Sequence, residues 1–119
     1  MEAGTDKGGE TMEEVIRTIN EMEWQQASNY PAGAEMKVLR EGDGSHGRTI
    51  LLRLPSGWQM SAHSHTAVEQ HYVLEGQYES HGETLGVGSY QLIPNGVDHG
   101  PFSTESGAVI LVVWDPVAA

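Results

Sequence analysis

The chain has 119 residues, with 17 acidic side chains against six Lys plus Arg, a formal charge of −11 and no cysteine. That length supports one modest hydrophobic core; the acidic balance argues against a nucleic-acid surface and a polybasic membrane patch, both of which need clustered cations; the lack of Cys excludes disulfides, thiolate metal sites and cysteine nucleophiles. No apolar run approaches the ~20 residues of a membrane helix, and residues 1–6 lack the basic start and apolar stretch of a secretory signal, so a cytoplasmic protein is expected.

Residues 1–10 are rich in Gly, Glu and Asp without periodicity and read as a flexible N-terminal arm. Thr11-Met12-Glu13-Glu14 then has the form of a capping box. Met12, Val15, Ile16, Ile19 and Met22 share one helical stripe, predicting an amphipathic helix over 12–23 that packs against the domain or a partner subunit. Helix and connector together take up 11–33. From residue 34 onward the text changes to short apolar runs broken by turn residues, and 15 Gly and five Pro supply the turns. Strands are expected at 36–40, 48–54, 58–65, 69–74, 77–81, 85–88, 89–93, 97–102 and 108–114. Runs of this length, with turns every eight to twelve residues and no helical pattern between them, predict a mostly antiparallel sandwich or small barrel over 34–119.

Three of the six histidines fall at 63, 65 and 71. Residues two apart on a strand point the same way, so His63 and His65 share a face, as do Glu69 and His71. If 58–65 and 69–74 form a hairpin, His63, His65 and Glu69 converge near its turn. His99 follows the Pro94-Asn95-Gly96 turn far along the chain. Imidazoles with one carboxylate suit Zn, Fe(II), Mn, Ni, Co or Cu and suit Ca poorly. The spacing alone leaves open a solvated face on which Glu69 is only a charge partner.

A longer pattern bears on that choice. Gly57, His63, His65, Glu69 and Gly76 are separated by five, one, three and six intervening residues, and Gly88, Pro94, Gly96 and His99 by five, one and two. These nine positions resemble the two cupin motifs, and the strand pattern extends the likeness over 34–119. One departure is Ser103, where cupins often carry Asn. The resemblance implies an all-β fold: a small cupin barrel (a jelly roll, or double-stranded β-helix) behind one N-terminal amphipathic α-helix. It implies His63, His65, Glu69 and His99 as ligands of one divalent transition metal ion with one or two coordination positions open. Tyr72-Val73-Leu74-Glu75-Gly76 and His99-Gly100-Pro101-Phe102-Ser103 further resemble the cupin domain of ChrR-type anti-sigma factors and the small non-haem dioxygenases related to it.

His71 is the catalytic candidate. Period two aims it into the cavity beside Glu69, where it orients that carboxylate, moves a proton near the metal, or replaces Glu69 as a ligand. Trp58, Met60, Tyr90, Ile93 and Phe102 flank the ligands and are the expected walls of a substrate pocket, with core packing as the alternative for each. His46 and His81 fall in turns and are expected in solvent. Two function classes follow. One is a small metalloenzyme, cleaving a diketone or hydroxy ketone oxidatively or acting as a Lewis-acid isomerase or lyase. The other is a non-catalytic metal or small-ligand sensor. Anti-sigma cupins carry a helical zinc-binding domain before the barrel, and 33 residues precede it here, which weighs against the sensor. Barrel edges in the family usually pair between subunits, so a homodimer is expected, with strand 36–40 and the helix as contacts and a small molecule as the other partner.

Overall fold

The computed structural model describes residues 12–43 and 45–116. Its strands are β1 (Gln25–Gln26), β2 (Glu35–Arg40), β3 (Arg48–Leu54), β4 (Gln59–Met60), β5 (Glu69–Ser80), β6 (Glu83–Gly86), β7 (Tyr90–Ile93), β8 (Phe102–Ser103) and β9 (Ala108–Trp114). Every pairing is antiparallel, in the order β1-β2-β3-β9-β5-β8-β4, with β6 and β7 also paired to β5.

Two of the expected strands, 69–74 and 77–81, are one 12-residue strand. A bulge between Val73 and Glu75 bends it. Its first half lies between β7 and β9, and its second half turns away to pair with β6 and β8. That bend carries the chain from one layer to the other and closes the core between them. The core is built by alternation. Ile50, Leu52 and Leu54 on β3, Ala108, Ile110 and Val112 on β9, and Val73 and Tyr78 on β5 are all buried. His71 pairs in register with Val112, and Val112 with Ile50, so on its β9 and β3 side the imidazole joins an inward row of aliphatic residues, while on the β7 side it pairs with Gln91.

The expected helix over 12–23 is absent. Residues 12–18 are not helical, and only a 3₁₀ turn, Ile19–Glu21, forms. Thr11 of the capping box and the arm at 1–10 lie outside the described residues. The stripe finds no apolar surface to cover, since Met12, Val15 and Ile16 are exposed. Instead the segment runs as a strap beside β2: Lys37 Nζ donates to the Ile19 carbonyl at 2.8 Å and Arg17 Nε to the Leu39 carbonyl at 3.2 Å. A helix of this length is marginal alone, and cationic donors reaching from and to the strand hold the chain extended. None of the helices among the described residues is long and apolar enough to cross a membrane.

Candidate metal centre

The expected hairpin between 58–65 and 69–74 does not form. His63 pairs instead with His99, through His63 N–H to the His99 carbonyl at 3.0 Å and His99 N–H to the His63 carbonyl at 2.7 Å. Gly96 N–H donates to the His65 carbonyl at 2.7 Å, so residues 61–65 lie against 96–99. Two histidines 36 positions apart in sequence are thus side by side through reciprocal backbone bonds. Glu69 arrives from a third direction, at the start of β5.

One ligand nitrogen from each of His63, His65 and His99 lies within 4.8 Å of the other two. The rings meet edge to face or tilted, with centroids 4.2 to 5.1 Å apart. The Ser61 carbonyl, 3.0 Å from His63 Nδ1, can only accept, so Nδ1 carries the hydrogen and Nε2 keeps its lone pair for a ligand. Glu69 Oε2 lies 3.2 Å from His65 Nε2 and 4.0 Å from His99 Nε2.

His71 stands beside the triad rather than in it. Its Nε2 donates to Glu69 Oε1 at 2.8 Å, and its Nδ1 lies 3.1 Å from the Tyr78 hydroxyl. Tyr78 donates to Gln91 Oε1 at 2.6 Å, and Gln91 Nε2 donates to Ser80 Oγ at 2.9 Å. Glu69 is therefore held by one oxygen from behind, while the other faces the imidazoles.

Whether this donor set fits a cation is answered by the atoms left over. Glu69 Oε2 and both ring nitrogens of His99 are buried with no hydrogen-bond partner. Unpaired buried polar atoms cost about 1–3 kcal/mol each, and more when charged. Three such atoms on converging ligand-type side chains fit a divalent ion, which would satisfy a carboxylate oxygen and an imidazole lone pair together. The electrostatics agree. Burial alone pushes the Glu69 carboxyl up, but the hydrogen bond from His71 and the charges of His71, His65 and His99 outweigh it and hold the group below its usual range. Burial pulls the His99 imidazole down to about 4, with the neighbouring histidines adding to the effect and Glu69 opposing it. A carboxylate kept ionised beside a neutral imidazole is the protonation state a metal requires.

The surroundings divide into an inner void and an outer cleft. Trp58, Met60 and Phe102 wall a small void of about 20 Å³ beside Glu69, His71 and His99. Ile93 is buried in the core and lines neither space. Tyr90, expected in the pocket wall, is a correction. It is 57 % exposed on the outer face, and its hydroxyl donates to Gln70 Oε1. Tyr90 and Ile93 are three apart on one strand and point to opposite faces, so alternation already forbids both from walling one pocket. The outer cleft, about 690 Å³, opens over His63 and His65. Most of the residues that line it were not expected from the sequence, Tyr30, Arg48 and Trp114 among them. Arg48 shares the inward parity of Ile50, Leu52 and Leu54, a signal that was available; Tyr30 sits in an irregular connector that offers none. Tyr30 lines both spaces, and burial, followed by the charge of Glu69, pushes its phenol well above the ordinary value despite Arg48, so it stays a neutral donor. Of the two turn histidines, His81 is exposed, whereas His46 is half-buried on the cleft wall, its Nδ1 3.0 Å from Asp43 Oδ1.

The fold recurs in solved structures. An RmlC-like cupin from Shewanella frigidimarina superposes with a TM-score of 0.74 at 20 % identity, covering 87 % of this chain and 92 % of that one. The polyketide cyclase RemF from Streptomyces resistomycificus gives 0.71 at 22 % identity, over 88 % and 80 %. A chain of the Rhodobacter sphaeroides complex of SigE with the anti-sigma ChrR gives 0.66 at 21 % identity, over 83 % of this chain but only 52 % of that one. Identities this low establish the fold alone. No curated protein sequence matches the chain significantly. The sequence profile of the ChrR cupin-like domain, however, matches residues 12–118, nearly the whole length. With the barrel and the histidine cluster both in place, the chain belongs to the ChrR cupin-like domain family.

Proposed function

We propose that the protein is a small metalloenzyme in which His63, His65, His99 and Glu69 hold one divalent transition ion, acting on a small diketone or hydroxy ketone that enters through the outer cleft. The observation that carries the reading is the set of buried, unpartnered ligand atoms on Glu69 and His99, facing His63 and His65. When bound, Fe(II) would supply oxidative carbon–carbon cleavage with O₂ as the oxidant, and Zn, Ni, Co, Mn or Cu would supply Lewis-acid polarisation of a carbonyl for isomerase or lyase chemistry. The chain's own residues do the rest. His71 fixes the Glu69 carboxylate by its Oε1. Tyr30 offers a neutral phenol between void and cleft. Trp58, Met60 and Phe102 exclude water behind the ligands. The reading places the protein in the cytoplasm as a homodimer. On this reading the dimer edge is β1, which lies outside β2 in the strand order, rather than β2 itself.

A second reading, a non-catalytic metal or small-ligand sensor, is favoured by the match to the ChrR cupin-like domain. Turnover of a diketone by metal-loaded protein separates the two.

The test is elemental analysis of untagged protein purified without added metal. About one transition ion per chain is expected, falling below about a tenth in His63→Ala and His99→Ala. His71→Ala keeps the ion but binds it about ten- to hundredfold more weakly, as loss of a ligand's hydrogen-bond partner does. Unchanged stoichiometry in both His63→Ala and His99→Ala would sink the four-ligand site, and loss of the ion in His71→Ala would make His71 a ligand.

A further inference from the structure

Among the described residues the outer cleft contains one Lys or Arg side chain, Arg48, and its Nε is poorly satisfied. Arg48 Nε is buried without a hydrogen-bond partner. The nearest carboxylate among the described residues, Glu41 Oε1, is 3.9 Å from Nε, too far for a hydrogen bond, on a side chain 80 % exposed. The other contacts of the guanidinium are soft: Nη2 lies 3.8 Å from the Met36 sulfur, and the group sits 5.4 Å from the Trp114 ring centroid. The remaining described cations are differently placed. Arg53 is paired to Glu35 at 2.7 Å, and Arg17 and Lys37 bond backbone carbonyls. Arg40 reaches only the Met12 sulfur, but it lines neither void nor cleft. The two other acidic side chains of the cleft do not compete closely for Arg48. Asp43 is taken up by His46 and by the amides of Ser45 and His46, and Asp115 has no ion pair with it.

A planar guanidinium whose Nε is buried without an acceptor, and whose Nη2 meets only a sulfur, suits a carboxylate or another flat oxyanion. The same cleft is lined by His63 and His65, so a ligand long enough to lie along it would place one end at the metal ligands and the other at the guanidinium.

We infer that Arg48 is the substrate-anchoring residue of the cleft, and that the substrate is an oxo or hydroxy acid. Its carbonyl or hydroxyl oxygens go to the metal end and a remote carboxylate to Arg48, stacked beside Trp114. The inference rests on the metalloprotein reading above and narrows its substrate class from ketones in general to those bearing a carboxylate.

A matched pair of probes tests it by binding rather than by turnover. Wild-type protein loaded with Co(II) is titrated with 4,6-dioxoheptanoate and with heptane-2,4-dione. The two share a β-diketone and a seven-carbon chain, and only the first carries a carboxylate. Metal-bound absorbance and calorimetry report both affinities. The carboxylated diketone is expected to bind at least about tenfold more tightly, as a charge-assisted hydrogen bond should provide. Arg48→Gln brings the two affinities together, and Arg48→Lys, which keeps the charge but not the fork, retains part of the difference. Glu41→Gln alters only an exposed side chain, and removing the carboxylate paired most closely with Arg48 raises the preference. Equal affinities in the wild type, or a preference that survives Arg48→Gln and is unmoved in Glu41→Gln, overturn the anchor while leaving the metal reading intact. Failure of both diketones to bind the metal-loaded protein overturns the open-site reading and the anchor with it.

Discussion

His99 sits on the inner end of the ligand group, and burial depresses its imidazole. Unfolded, it takes up a proton near 6.5; folded, burial delays that to about 4. Between those values the unfolded state binds the extra proton. The stability gained by keeping His99 neutral is therefore whole above 6.5 and drains away as pH falls towards 4. Glu69 acts in the same direction. Its carboxyl is held below the ordinary 4.5, so its contribution is present above that value and is lost as pH drops through the lower folded one. Metal-free protein should thus lose several degrees of Tm between pH 7 and pH 5, and His99→Gln, which cannot be protonated, should flatten that slope. Thermal melts of the two proteins across the range check it. Equal slopes would mean that His99 is not the group responsible.

At the scale of elements, β5 does most to place the site, and its bend depends on Gly76. That residue has φ +69°, and a Cβ added there would overlap the Gly107 carbonyl oxygen, which accepts the Gln77 amide. A change to alanine meets both backbone strain and a backbone clash that no side-chain rotation relieves. Gly76→Ala should cost about 2–4 kcal/mol by denaturant titration. Gly86→Ala, with nothing within 4 Å and no positive φ, should stay within about 0.5 kcal/mol. Comparable losses at the two positions would remove the bend from the account. Gly76 also shows what the sequence could tell. The pattern of spaced residues singled out this glycine, and its positive φ and its close approach to Gly107 are local properties that such a pattern can encode. Strands 48–54 and 108–114 were legible for the same reason, since their apolar runs are long and bounded. The hairpin between 58–65 and 69–74 was not. Which strands pair is decided by the closure of the whole sheet, and a three-residue gap constrains it weakly. The helix over 12–23 failed in a related way. Its periodicity was real, but the carbonyls of Ile19 and Leu39 are engaged by Lys37 and Arg17 across the strap. For the ligand set, parity put His63 beside His65 and Glu69 beside His71, whereas the approach of His99 to His63 is a tertiary bond that local spacing does not carry.

Over the whole molecule, charge is the least balanced quantity. Seventeen carboxylates face six Lys and Arg. Several of those cations are committed to architecture rather than to neutralisation: Lys37 and Arg53 both lie over the Trp24 ring, at 4.5 and 4.2 Å from its centroid, and Arg17 bonds a carbonyl. Among the described residues the close Arg–carboxylate pair is Arg53 with Glu35, half-exposed and worth little by itself. The folded state therefore concentrates unscreened negative charge that the expanded chain spreads out, and compaction is opposed by self-repulsion. Salt relieves this in proportion to screening, whose range contracts from about 30 Å at 0.01 M to about 3 Å at 1 M. Raising NaCl from about 0.01 to 0.5 M should then lift the Tm of metal-free protein by about 4–8 °C, the equivalent of roughly 1 kcal/mol. Potassium chloride should do the same, since screening depends on ionic strength and not on the cation. A flat or falling Tm would mean that Arg53–Glu35 and the strap contacts outweigh the general repulsion. A rise with one cation alone would point to specific binding at the acidic surface instead of screening.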